Sequence, residues 1–321
     1  MANAIDIENL TKEYATGFGP FRSVRRALDR LTLNVAPGEC MAFLGANGAG
    51  KSTTIKVIVG LVFPTSGRVR IMGRDAQDAL ARRSLGYLPE QPNFYDHLTA
   101  LELVEMAARL QGMDGKSARR SAEDSLARAR LASEHWDRRL RHFSKGMLQR
   151  VGLAQALLGD PEIIILDEPM SGLDPIGRRD VRDIINDLRA RGATVFFSTH
   201  ILADAEALAD RVCVIERGSL KFLGTTSDLQ LRVARSVPME VVFAAEDAKG
   251  LSAALRSAGY AVTEMATSVR LRVASEADVD AVLALARTKH ARLISIHQAS
   301  SSLEALFEEE RQPQGRSHVA S

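Results

Sequence analysis

The stretch "GANGAGKST", residues 45–53, follows the apolar run "CMAFL" and opens the helical pattern "STTIKVIVG". It satisfies G-x-x-x-x-G-K-[ST] in the strand-loop-helix context that gives this pattern its meaning. Glycines at 45, 48 and 50 let backbone N–H groups converge on phosphate oxygens, and the helix N-terminus directs its dipole at the same point. Gly45, Ala46, Asn47, Gly48, Ala49, Gly50, Lys51, Ser52 and Thr53 are therefore candidate nucleotide-binding residues. Among them, Lys51 would neutralise β/γ-phosphate charge and the Ser52 hydroxyl would ligate Mg²⁺.

Around this loop, residues 5–224 alternate apolar runs with helical patterns, the pattern of an α/β layer fold with a largely parallel sheet. The expected strands are "LTLNV", "CMAFLG", "GRVRIMG", "IIILD", "TVFFSTH" and "RVCVIERG". Residues 99–131 read as helical, with a break at "QGMDGKS". The segment "IIILDEPMSGLDP", residues 163–175, places Asp167 and Glu168 at the carboxyl end of a buried strand, where such folds bind ligands. Asp167 would hold Mg²⁺, either directly or from behind its direct ligands, and Glu168 would act as general base on the attacking water. "TVFFSTHIL" ends a further strand at His200, an imidazole positioned to contact the γ-phosphate and orient that water.

"HFSKGMLQRVGLAQALL", residues 142–158, starts as a helix should and then breaks a rule. Ser144 is a good N-cap. The first turn lacks an acid, however, and Lys145 sets a positive charge at the positive end of the helix dipole. This is locally unfavourable unless an anion from outside occupies the free N–H groups.

Taken in order, "GANGAGKST", "FSKGMLQR", "IIILDEP", "SGLDP" and "STH" resemble the ATP-binding subunit of ABC transporters, over nearly all of residues 5–224. The resemblance implies a P-loop NTPase domain of the ABC ATPase type with a helical subdomain, ATP and Mg²⁺ as ligands, and ATP hydrolysis. It further implies two such domains, head to tail around two ATP molecules. Ser144 and Gly146 would then touch the γ-phosphate held by the other copy, which supplies the missing anion. Asp174 of "SGLDP" would couple the two sites, and Tyr14 of "LTKEYATG" would stack on adenine.

Two departures stand out. The family's Leu-Ser-Gly-Gly-Gln signature is here Phe143, Ser144, Lys145, Gly146 and Met147, which keeps the hydroxyl and the second Gly. This variant is similar to that of single-domain subunits of exporters. In "LGYLPEQPNFYDHLT", the family's metal-sensing Gln, which also contacts the membrane partner, falls by register on Glu90, with Gln91 directly after it. Both are candidates.

The domain boundaries expected are 5–228 for the ATP-binding domain, 232–311 for a small C-terminal α+β domain, and 312–321 for a tail. The β-α-β-β-α-β order in the second suggests a ferredoxin-like fold. That unit, through the closing "SSLEALFEEE", resembles an accessory domain of multidrug, antibiotic or polysaccharide exporters and reads as regulatory or dimer-stabilising. The "GFGPFRSVRR" stretch reads as a solvated basic loop. Arginines 119, 120, 128, 130, 138, 139 and 141, interleaved with acids, read as a solvated face or as a dock for the membrane subunit.

A net charge of +2 gives no reason to expect a nucleic-acid partner. Two cysteines, both inside strand patterns, form no disulfide or metal framework and suit a reducing cytosol. The longest apolar run, "VIVGLVF", is far short of a membrane span, and "MANAIDIENL" has no signal-peptide character. The expectation is a cytoplasmic ATPase, peripheral on the membrane, acting as a homodimer and powering a separate membrane-spanning permease for export. The alternative is a soluble ABC ATPase acting on nucleic acid or ribosomes. The span from Lys51 to Ser144 has no heptad run of the kind chromosome-type relatives insert there, and the chain carries one ATPase domain where ribosome-acting relatives carry two.

Overall fold

The computed structural model describes residues 2–16, 23–236, 239–273 and 276–298. The expected closing helix at 301–310, the tail at 312–321 and the first part of the basic loop, residues 17–22, lie outside them. The chain divides into two compact units, Met1–Thr226 and Ser227–Ser321.

In the first unit the apolar runs become strands β3 (Cys40–Leu44), β7 (Ile163–Leu166) and β8 (Thr194–Thr199), buried at every residue. Only a sheet covered on both faces allows this. With β6 (Leu85–Leu88), β9 (Arg211–Glu216) and β10 (Ser219–Thr225) they form a six-stranded sheet ordered β10-β9-β3-β8-β7-β6. All neighbours pair in parallel except β9 with β10. Helices α1 (Lys51–Ile58), α6 (Pro175–Ala190) and α7 (Leu202–Leu208) connect or flank these strands. A helical insertion contains α3 (Ala100–Leu110), α4 (Gly115–Arg128) and α5 (Lys145–Ala156). α3 starts where Thr99 and Glu102 form a reciprocal capping box, and α4 where Asp114 caps two N–H groups.

One expectation needs correcting. "LTLNV" and "GRVRIMG" do not join the parallel sheet. They belong to β2 (Ser23–Val35) and β4 (Ser66–Ile71) of a separate antiparallel sheet ordered β2-β1-β4-β5, with β1 (Ile5–Thr16) and β5 (Arg74–Asp75). A tight turn through Met72 and Gly73 joins β4 to β5, and antiparallel pairs allow such short links whereas parallel ones need a crossover. The short helix α2 (Ala79–Arg82) follows. Ile5, Leu10, Leu28 and Leu31 of this second sheet pack with Met41, Phe43, Ile55, Phe196 and Ile215 in one core. The Phe43 and Phe196 rings lie 5.3 Å apart within it.

After α8 (Thr226–Ser236), the second unit runs β11 (Met239–Ala244), α9 (Ala248–Ser257), β12 (Val262–Glu264), β13 (Ser268–Val273), α10 (Glu276–Thr288) and β14 (Arg292–Gln298). Its antiparallel sheet is ordered β12-β13-β11-β14, the split β-α-β arrangement expected of a ferredoxin-like unit. Val241, Phe243, Leu251, Leu255, Leu271 and Val282 fill its core.

Candidate functional site

The loop from β3 into α1 is held by close backbone approaches. A Cβ on Gly45 would stand 2.6 Å from the carbonyl oxygen of Ile215, and one on Gly50 2.8 Å from that of Ala27. Gly50 also takes φ +113°, which side chains disfavour. Packing alone thus requires glycine at both places. The first turn of α1 has neither a side-chain cap nor an acid, so its N–H groups form a bare, positively polarised end. Lys51 is buried here. Its Nζ donates to the carbonyls of Gly45 at 2.7 Å and Ala46 at 3.3 Å and lies 3.1 Å from Glu168 Oε1.

Parallel pairing of β7 with β8 sets Leu166 beside Phe197, so the residues after them, Asp167 and Ser198, also meet. Ser198 Oγ donates to Asp167 Oδ1 at 2.6 Å and accepts the Glu168 N–H at 2.8 Å. Burial pushes the Asp167 carboxyl above its ordinary range, opposed by hydrogen bonds from Ser198 and Ser52. Glu168 adopts φ +48°, an uncommon conformation for a residue with a side chain. Its Oε2 meets His200 Nδ1 at 2.9 Å, while its buried Oε1 faces Lys51 without a hydrogen bond. Lys51, Glu168 and His200 therefore form one continuous polar chain, with Asp167 and Ser52 beside it.

The remaining candidates sit elsewhere. Ser144 is the N-cap of α5, its hydroxyl accepting the Met147 N–H at 3.3 Å. A Cβ on Gly146 would lie 3.7 Å from Leu173, and the Lys145 side chain crosses Gly172, so this helix end packs on the "SGLDP" loop. Asp174 caps α6, accepting the Gly177 N–H at 2.8 Å. Among the described residues, no hydrogen bond or ion pair joins Ser144, Gly146 or Asp174 to Lys51, Glu168 or His200. Tyr14 lies on β1 with the Lys12 ammonium 5.0 Å from its ring centre. Glu90 and Gln91 are exposed in the loop after β6. Arg130 is not confined to a solvated face, since it pairs across to Asp183 and Asp187 of α6.

Two residues escaped sequence reasoning. Ser198 was visible only as part of "STH", and the parallel register is what gives it a role. Gln149, 3% exposed, donates from Nε2 to the Pro169 carbonyl at 2.9 Å, tying α5 to the turn after Glu168.

The Ser52 hydroxyl, in the first turn of α1, and the Asp167 carboxylate are hard oxygen donors close enough to interact. This fits Mg²⁺, which binds through few protein oxygens together with phosphate oxygens and water. No cluster of three or more His, Cys, Asp or Glu suited to a metal occurs among the described residues.

Comparison with known proteins agrees with this geometry. Residues 28–171 match the family model described as ABC transporter. Over 307 residues the chain is 36% identical to an ABC transporter ATP-binding protein of Synechocystis sp., covering 95% of this chain and 84% of that relative. It is 35% identical over 241 residues to the Nod factor export ATP-binding protein I of Paraburkholderia xenovorans, covering 74% and 75% respectively. A solved dimeric ATP-binding cassette in a post-hydrolysis state, bound to ADP and Pi, is similar with a TM-score of 0.63 at 29% identity, over 69% of this chain and 98% of that one.

Proposed function

The chain belongs to the ABC transporter ATP-binding family and is an ATPase; on that premise we propose that it works as a dimer closed around two ATP molecules and drives export through a separate membrane-spanning permease. The polar chain Lys51–Glu168–His200 carries this reading, because it lies at the carboxyl ends of three adjacent strands, beside a bare helix end. Residues 45–53 bind the phosphates through backbone N–H groups. Lys51 moves its ammonium from the Gly45 and Ala46 carbonyls to the β/γ-phosphates. Glu168 accepts the proton of the attacking water while His200 orients it. The water oxygen bonds to the γ-phosphorus as the bond to the β,γ-bridging oxygen breaks, and ADP leaves. Ser52 and Asp167 would hold Mg²⁺, which supplies charge neutralisation on the phosphates.

The other candidates take roles at the edges of this site. Tyr14 stacks on adenine once Lys12 yields its face. Ser144 and Gly146 meet the γ-phosphate bound by the second copy, with Asp174 on the adjoining loop. Glu90 or Gln91 faces the metal and the permease. The dimeric cassette with ADP and Pi supports the pairing, and the Nod factor export relative supports the direction. No helix among the described residues is long and apolar enough to cross a membrane. Residues 232–311 serve as the accessory unit.

Glu168→Gln tests the proposal, since it retains nucleotide binding but removes the base. Size-exclusion chromatography should show a dimer in ATP and a monomer in ADP. A monomer in both would count against it.

A further inference from the structure

Asp204 is 1% exposed, and none of the roles assigned above uses it. It lies in the first turn of α7, four residues after His200. Arg178 and Arg182, one turn apart on α6, both reach its carboxylate: Arg178 Nη2 donates to Oδ2 at 2.6 Å and Arg182 Nη2 to Oδ1 at 2.7 Å. Each guanidinium meets Asp204 through a single nitrogen. The Nε atoms of both arginines are buried and have no hydrogen-bond partner. Two charge-assisted hydrogen bonds from successive turns of α6 to one buried carboxylate make a clamp between α6 and α7.

The clamp joins the two segments that flank the reaction. The Asp204 end follows His200, whose loop is pinned by the Ile201 N–H donating to Thr199 Oγ1 at 3.0 Å and the Asp204 N–H donating to the Ile201 carbonyl at 3.2 Å. The arginine end lies on the helix capped by Asp174, directly after the "SGLDP" loop. We propose that Asp204 is a positioning residue for ATP hydrolysis: through Arg178 and Arg182 it locks the His200 loop to α6, so that His200 and the Asp174 loop move as one body when nucleotide binds. This rests on the role given to His200 above.

The test uses the full chain. Asp204→Asn keeps the shape and removes the charge. Steady-state ATPase assays should show kcat reduced on the order of tenfold, with ATP affinity, measured by equilibrium binding, unchanged within about twofold. His200→Ala alone should reduce kcat, and adding Asp204→Asn to it should reduce kcat no further, because one acts through the other. Lost stability would add in the double variant whatever the mechanism, so non-additivity in kcat separates positioning from a structural role. If Asp204→Asn does not fold, Arg182→Gln, which removes one arm of the clamp, should give the same kcat loss and the same non-additivity. An unchanged kcat, or losses that multiply in the double variant, overturns the clamp. An unchanged kcat in His200→Ala alone overturns the role of His200 instead.

Discussion

Ser198 Oγ stands 2.6 Å from Asp167 Oδ1, where β7 and β8 end side by side, and the same oxygen accepts the Glu168 N–H. One hydroxyl thus holds the carboxylate proposed to face Mg²⁺ and the backbone of the proposed base. Ser198→Ala would leave the Glu168 N–H buried without a partner, a loss of about 1–3 kcal/mol. It would also raise the Asp167 carboxyl further, since the hydrogen bond opposing burial is removed. The expected outcome is a lower urea midpoint and a higher Mg²⁺ concentration for half-maximal ATPase activity. An unchanged Mg²⁺ requirement would separate Ser198 from metal binding.

Asp167 itself sets function against stability. Its folded carboxyl titrates above its unfolded value, so the folded chain holds the proton more tightly. Ionisation at neutral pH therefore costs stability, and the cost fades as pH falls through the raised folded value toward the ordinary carboxylate range. Asp167→Asn removes the cost and retains an acceptor for Ser198. Without nucleotide, its Tm should exceed that of the parent at pH 7, by about 2–4 °C for each kcal/mol recovered, and the gain should shrink toward pH 4. ATP hydrolysis should be lost. A lower Tm at pH 7 would mean that the ionised carboxylate is already well compensated.

The phosphate loop makes a separate prediction. Gly45→Ala would press a methyl against the Ile215 carbonyl, a backbone atom that cannot swing aside. Overpacking of this kind costs about 1–3 kcal/mol. Urea unfolding should therefore show the loss even without ATP. If stability is unchanged while ATP binding falls, the glycine serves the ligand alone.

How much of this was legible beforehand depended on how local the cause was. β3, β7 and β8 could be read from the sequence because every residue in them is buried, so the apolar run is the strand. β1 could not. Its pairing with β2 shifts register between Ile7 and Leu10, again between Leu10 and Lys12, and again between Lys12 and Glu13. Those irregularities break the period-two alternation by which a strand is recognised. Lys51, Asp167, Glu168 and His200 stood out because Lys51 opens a helix and the other three come just after strands, each element with a recognisable pattern. Ser198 and Gln149 did not, since their partners are set by the register of β7 on β8 and by the packing of α5 on the turn at Pro169. Asp204 shows the same limit, because Arg178 and Arg182 reach it from another helix.

The last prediction separates the two tasks of Ser144. Its hydroxyl caps α5, and by the proposal above it also meets the phosphate carried by a second copy. Alanine would weaken both, so its effect would be ambiguous. Aspartate would not. As an N-cap it is at least as good as Ser, and its charge suits a helix start whose first turn holds no acid. Ser144→Asp should therefore leave the Tm of the nucleotide-free chain equal or higher. The same carboxylate would face a triphosphate across the interface and repel it. In a Glu168→Gln background, Ser144→Asp should abolish the ATP-dependent dimer seen by size-exclusion chromatography while ATP still binds the monomer. A dimer that persists would place the Ser144 end of α5 away from the second copy's nucleotide.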